Sequence, residues 1–238
     1  MRRSGHRART ALRPHQPGIT SRQVPEQSPR VWIFDLDDTL HNASAQIFPH
    51  INRAMTQYLM THLHVDEQEA NRLRGHYWMK YGATLHGLMR HHGTHPQHFL
   101  EHTHPLADLH AMVQQVNGLD GLLRQLRGRK VVFTNAPMNY ALRVLDRLGI
   151  RQHFELVFSI ESTRFQPKPA RAGFLRLLSK IKVPAARCVM VEDSLSALKT
   201  AKQLGMKTVY ITHATRRPSF VDVRLNSVLA LRNMTAIV

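Results

Sequence analysis

Asp35-Leu36-Asp37-Asp38-Thr39-Leu40 places two carboxylates two residues apart at the end of the apolar run VWIF. Two acids just leaving a strand can converge on one site. One can attack a phosphorus while the other handles the proton of the leaving group. Three more polar groups stand where later apolar runs stop. Thr134-Asn135 closes KVVF and offers a hydroxyl and an amide to phosphate oxygens. Lys168 follows LVFSI and can neutralise charge on a phosphoryl group. Glu192-Asp193-Ser194 closes RCVMV with carboxylates suited to a hard cation such as Mg²⁺. Singly, each has an ordinary explanation. Asp-x-Asp serves turns, Thr-Asn serves caps, a lysine before proline is usually solvated, and acids suit a helix start. The four in this order, each at the end of an apolar run, point to a single site.

The elements that must position them are legible as short runs. VWIFDL (31–36), KVVFTN (130–135), LVFSI (156–160), RCVMVED (187–193) and KTVYIT (207–212) are rich in Val, Ile and Phe. Runs apolar on both faces suit buried parallel strands. Helical patterns lie between them. Leu142, Leu145 and Leu148 share a face ahead of Gly149, a C-terminal cap residue. Phe174, Leu177, Leu178 and Ile181 follow i, i+3, i+4, i+7 with Pro169 near the helix start, and Ala197, Leu198 and Ala201 line a helix closed by Gly205. Alternating strands and helices predict an α/β fold with a doubly wound parallel sheet, whose ligands bind at the carboxyl ends of the strands. About 90 residues separate the first run from the second, and they are helical in pattern. A structureless loop of that length is not expected in a compact domain. Residues 43–116 are therefore expected to form an inserted helical cap, with 30–42 and 117–238 making the α/β core.

The four motifs together resemble the haloacid dehalogenase superfamily of phosphohydrolases. FDLDDTL, FTNA, QPKP and VEDS match its four motifs in order, and the resemblance runs from residue 31 to about 213. It implies a Rossmann-like core, with Asp35 as nucleophile and Asp37 as general acid and base. It further implies that Thr134 and Lys168 bind the phosphoryl group, alongside Asn135. Asp35, the backbone carbonyl of Asp37 and Asp193 would hold Mg²⁺, with Glu192 at or behind them. Asp37 also argues against the dehalogenase branch, which lacks this second acid and needs no metal. Within the insertion, Tyr81-Gly82-Ala83-Thr84-Leu85-His86-Gly87-Leu88 resembles a segment of pyrimidine 5′-nucleotidases, and FTNAP fits that branch too. That likeness implies hydrolysis of nucleoside monophosphates such as UMP and CMP, with Tyr81 and His86 as candidate substrate contacts. Ala83, where a larger polar residue is common, and the basic N-terminal segment depart from the family pattern. Another small ester, such as a sugar phosphate or phosphoglycolate, is a rival substrate, and a phosphomutase would use the same acids.

Composition bounds the remaining readings. The chain has 238 residues, 42% hydrophobic and 21% charged, as in a soluble globular protein, and no apolar run approaches a membrane span. A single cysteine, Cys188, excludes an internal disulfide framework and reads as a small buried strand residue. These features point to the cytoplasm. Of the net charge of +17, residues 1–30 supply +6 through seven arginines against Glu26. Residues 1–29 are proline-rich and poor in apolar side chains, and read as a disordered basic tail; no apolar stretch marks a secretory signal. So basic a chain attracts polyanions, yet no aromatic-interleaved basic motif supports specific nucleic-acid recognition, and binding through the tail is a rival of a different class. Thirteen of the 17 histidines lie between His41 and His110. His91, His92, His95 and His98 have metal-ligand spacing, but Gly93 and Pro96 interrupt any regular helix, which favours a solvated basic surface. Tyr77, Trp78 and Tyr81 read as cap core or, for one of them, a base-stacking surface.

Overall fold

The computed structural model describes Met1 and residues 30–233. The N-terminal segment read as a disordered tail lies outside them, apart from its first residue. Six strands form one wholly parallel sheet in the order β3-β2-β1-β4-β5-β6. They are β1 (Val31–Phe34), β2 (Arg129–Phe133), β3 (Leu156–Phe158), β4 (Cys188–Glu192), β5 (Lys207–Ile211) and β6 (Val223–Leu225). Five coincide with the apolar runs. The sixth, Val-Arg-Leu, is three residues long with an arginine at its centre, so no periodicity marks it.

Strand side chains alternate between two apolar layers. Trp32 and Phe34 pack on one face with Val132, Val189, Val191 and Val209. Val31 and Ile33 pack on the other with Val131, Phe133, Cys188 and Met190. Helices α6 (Leu119–Gln125) and α7 (Met138–Arg147) cover the first face through Leu122, Leu123, Val144 and Leu145. Helices α8 (Arg171–Ile181) and α9 (Leu195–Gln203) cover the second through Phe174, Leu177, Ile181, Leu198 and Ala201. Burial on both faces explains why these strands read as continuous apolar runs. Gly149 and Gly205 follow α7 and α9 at φ 68° and 93°, a conformation that costs glycine little.

Between β1 and α6 the chain forms five helices: α1 (Ile47–Leu63), α2 (Glu67–Tyr81), α3 (Thr84–His92), α4 (Pro96–Thr103) and α5 (Leu106–Met112). Tyr58, Leu59, Ala70, Tyr77, Leu85, Leu88, Phe99 and Leu100 make a third apolar cluster, joined by Ile160 from the core. The insertion is fused to the core at both ends. Ile47 and Ile51 at the start of α1, and Leu109 and Val113 at and after α5, belong to the first sheet-face cluster. Gly93 and Pro96 do break the histidine-rich stretch, ending α3 and starting α4.

Candidate active site

β1 lies between β2 and β4, and the chain leaves it toward β2 but leaves β4 toward β5. The strand order therefore reverses between β1 and β4, and a crevice opens at their carboxyl ends. The backbone N–H of Asp35 donates to the Val191 carbonyl at 2.9 Å, which fixes the two strand ends side by side. Asp35 continues β1, Glu192 ends β4 and Asp193 follows it, so the three acids meet there. One ligand atom from each of Asp35, Glu192 and Asp193 lies within 4.8 Å of the other two.

Lys168 enters this cluster from the loop after β3. Its Nζ lies 2.6 Å from Asp35 Oδ1 and 2.5 Å from Glu192 Oε2, and 5.3 Å from the centre of the Phe133 ring. All three charged groups are buried. Burial pushes the Asp35 carboxyl up to about 7; Glu192 and Asp37 add to the rise and Lys168 opposes it. Burial likewise lifts Glu192 to about 7 against the pull of Lys168. Burial alone would weaken the Lys168 ammonium, but Asp35 and Glu192 together hold its pKa above the ordinary lysine range. Three crowded carboxyls against one lysine leave excess negative charge in a low-dielectric site. An all-oxygen donor set with that excess fits a hard divalent cation such as Mg²⁺.

Asp37 stands apart from this cluster. Its Oδ1 accepts from Tyr140 Oη at 2.7 Å and from His41 Nε2 at 2.9 Å. Burial, then Asp37, pushes the Tyr140 hydroxyl far above the usual phenol range, so it remains a donor. His104 stands edge-on to Tyr140 at 5.8 Å, and burial holds its imidazole down at about 4 against the pull of Asp37. Sequence reasoning missed His41, Tyr140 and His104. His41 directly follows Asp-Asp-Thr-Leu, a signal that was available; Tyr140 and His104 are distant in sequence and carry none.

Thr134 and Asn135 continue β2 as expected. Thr134 is buried, and its hydroxyl accepts from the Ala136 N–H at 3.0 Å. Asn135 is occupied in a way the sequence did not suggest. Its Oδ1 accepts from the Lys168 backbone N–H at 2.8 Å and its Nδ2 donates to the Lys168 carbonyl at 3.2 Å. The amide thus splints the loop that carries Lys168.

A cavity of about 1130 Å³ joins these strand ends to the helical insertion. Asp35, Asp37, Asn135, Lys168, Glu192 and Asp193 line one side; Arg74, Trp78, Tyr81 and His86 line the other. Tyr81 and His86 stack with ring centres 5.8 Å apart, and Trp78 is 65% exposed at this cavity. Tyr77, by contrast, belongs to the buried cluster of the helical insertion. The histidines of the α3–α4 stretch mostly satisfy tyrosine hydroxyls. His91 meets Tyr81 at 2.6 Å, His92 meets Tyr77 at 2.7 Å and His98 meets Tyr58 at 2.8 Å. Among the described residues, only the Asp35-Glu192-Asp193 group gathers three such ligand atoms.

The chain is 24% identical over 200 residues to phosphate metabolism protein 8 of Saccharomyces cerevisiae, covering 76% of this chain and 61% of that protein. It is 26% identical over 140 residues to a phosphoglycolate phosphatase of Chromobacterium violaceum, covering 58% of this chain and 61% of that one. The matches thus span about three-fifths of each relative's length. Among solved structures, a haloacid dehalogenase-type phosphatase from Thermococcus onnurineus superposes with a TM-score of 0.63 at 20% identity, over 87% of this chain and 98% of that one. The sequence profile described as haloacid dehalogenase-like hydrolase matches residues 32–211. That stretch runs from β1 through β5 and takes in every acid of the crevice together with Lys168, and on this ground the chain belongs to the haloacid dehalogenase-like hydrolases.

Proposed function

We propose that the chain is a magnesium-dependent phosphomonoesterase that forms an aspartyl phosphate on Asp35 and acts on pyrimidine nucleoside 5′-monophosphates. The observation that carries this reading is the meeting of Asp35, Lys168 and the acidic cluster in one cavity, with Asp37 held separately at its edge. The Asp35 carboxylate attacks phosphorus, and the bond to the leaving oxygen breaks. That oxygen takes the proton of Asp37. A water then attacks the aspartyl phosphate, gives a proton to Asp37, and returns Asp35 as a carboxylate with release of phosphate. The Lys168 ammonium and the Thr134 hydroxyl bind the phosphoryl oxygens. Asp35, the Asp37 carbonyl and Asp193 would hold Mg²⁺, with Glu192 steadying both Lys168 and the cluster. Bound there, the ion supplies positive charge to the phosphoryl oxygens. Residues 43–116 act as the cap, excluding bulk water and selecting the leaving group.

Substrate choice rests on the cap side. The YGATLHGL segment forms the end of α2 and most of α3, and Tyr81 and His86 line the cavity across from Asp35. A primary 5′-phosphate can reach Asp35 while ribose and base extend toward these rings and Trp78. The name of the Chromobacterium relative supports a second reading, a phosphatase for a small acid ester such as 2-phosphoglycolate. The cavity, at about 1130 Å³, favours the larger substrate. We expect the highest kcat/KM for UMP and CMP in a comparison with AMP, GMP, 2-phosphoglycolate and sugar phosphates. A badly accommodated purine ring costs roughly 1–3 kcal/mol, a factor of about 5 to 150. Equal or better turnover of the purines or the small esters overturns the substrate assignment and leaves the aspartyl-phosphate chemistry standing.

A further inference from the structure

Asp37 receives two hydrogen bonds on the same carboxylate oxygen. Tyr140 Oη and His41 Nε2 both reach Oδ1, at 2.7 and 2.9 Å. Among the described residues no donor reaches Oδ2, and the Asp37 side chain is 13% exposed, at the cavity. The donors come from independent elements. His41 lies four residues beyond Asp37 in the loop after β1, with its ring fully buried. Tyr140 projects from α7 and is fully buried as well. A carboxylate oxygen whose two lone pairs are both engaged by donors is a poor place for a proton. A proton on Asp37 therefore sits on Oδ2, the oxygen left unpaired at the cavity. A carboxylate free to spin about its last torsion would present either oxygen; this one must break two hydrogen bonds to do so. His41 contributes as the Nε2–H tautomer, since a carboxylate only accepts and its buried Nδ1 has no partner.

We propose that Tyr140 and His41 are positioning residues that fix Oδ1 of Asp37 and so make Oδ2 the atom that gives and takes the proton. This rests on the reading of Asp37 as general acid and base. Two donors from separate elements hold the carboxylate at one angle, as a proton donor aimed at a leaving oxygen requires. The consequence is specific to the leaving group. An alkoxide such as the 5′ oxygen of a nucleoside must be protonated as it departs, whereas p-nitrophenolate departs without a proton. The parameter kcat/KM reports only the steps up to departure of that group. Loss of aim must therefore lower kcat/KM for UMP far more than for p-nitrophenyl phosphate.

The experiment compares full-length wild type with Tyr140→Phe, His41→Leu, His41→Gln and Asp37→Asn. Tyr140→Phe removes the donor and keeps the packed ring. His41→Gln keeps an N–H at similar reach and His41→Leu removes it. We expect Tyr140→Phe and His41→Leu to lower kcat/KM for UMP by roughly 10- to 100-fold, less than the roughly 10²–10⁴ that a positioned acid–base group itself contributes. The fall for p-nitrophenyl phosphate should stay within about threefold, and His41→Gln should recover most of the UMP activity. Equal losses on both esters, or no loss on either, in variants with wild-type circular dichroism overturn the positioning role. If Asp37→Asn itself spares UMP hydrolysis, the acid–base reading fails instead, which separates the two.

Discussion

Lys168 is the residue on which the charge balance of the crevice turns. Its ammonium is shared by Asp35 and Glu192, and Asp193 adds a third carboxyl to the same group. Removing one acid from so crowded a cluster relieves repulsion while Glu192 still pairs the lysine. We therefore expect Asp35→Asn to fold with an unchanged or raised melting temperature yet to lose turnover, because an amide is a poor nucleophile. A folded variant that released phosphate at the wild-type rate would remove Asp35 from that role. The same crowding makes metal binding sensitive to pH. With Asp35 and Glu192 both pushed up to about 7, protons compete with the ion as pH falls through neutrality. Mg²⁺ affinity measured by titration calorimetry should weaken from pH 8 to pH 6, by about tenfold over that interval for each proton displaced. EDTA should abolish hydrolysis, with Mg²⁺ restoring it and Ca²⁺ not, since calcium prefers longer bonds and higher coordination. Full activity of metal-free protein would contradict the magnesium assignment.

At the scale of elements, the α2–α3 turn explains the glycines of YGATLHGL. Gly82 caps α2 at φ 78°, and a Cβ there would stand 3.2 Å from the Lys168 carbonyl oxygen and 3.3 Å from Pro169 Cδ. The helical insertion thus closely approaches the loop that carries Lys168, through backbone. Gly87 lies inside α3, where a Cβ would fall 2.2 Å from the ring of Tyr77, a buried residue of the cap core. Helices α2 and α3 can pack this closely only because position 87 has no side chain. Gly87→Ala should therefore destabilise the protein by about 1–3 kcal/mol through overpacking, read as a lower denaturant midpoint. An unchanged midpoint would mean that Tyr77 is free to move. The strand and helix patterns of the core were readable in advance because each element buries one periodic set of residues. β6 was not, since three residues with a central arginine carry no period.

For the whole molecule the open question is the charge. Of the +17, residues 1–30 ahead of β1 carry +6. None of the crevice residues lies in that segment. Deleting residues 1–29 should leave kcat within about twofold, the effect of a change that touches no transition-state contact. It should also lower the salt needed to elute the protein from a polyanionic resin, because fewer cations contact it. A large fall in kcat with the fold preserved would show that the segment reaches over the crevice. Among the described residues no helix is long and apolar enough to cross a membrane.

The sequence by itself determined the class of fold and where the polar groups of the crevice stand along the chain. Asp35, Thr134, Lys168 and Glu192-Asp193 each stand where an apolar run stops, and α/β alternation puts such ends on one edge of a parallel sheet. Local patterns suffice for this because period and punctuation are local properties. Tertiary structure alone decided which groups touch. Lys168 meets Asp35 across 133 residues and Tyr140 meets Asp37 across 103, contacts created by the β3-β2-β1 strand order and by α7 packing on the sheet. It also turned Asn135 onto the Lys168 backbone rather than leaving its amide free, and set the cap histidines against tyrosine hydroxyls. A side chain's hydrogen-bond partner is chosen by whichever buried group would otherwise go unsatisfied, and burial exists only once the distant elements have packed.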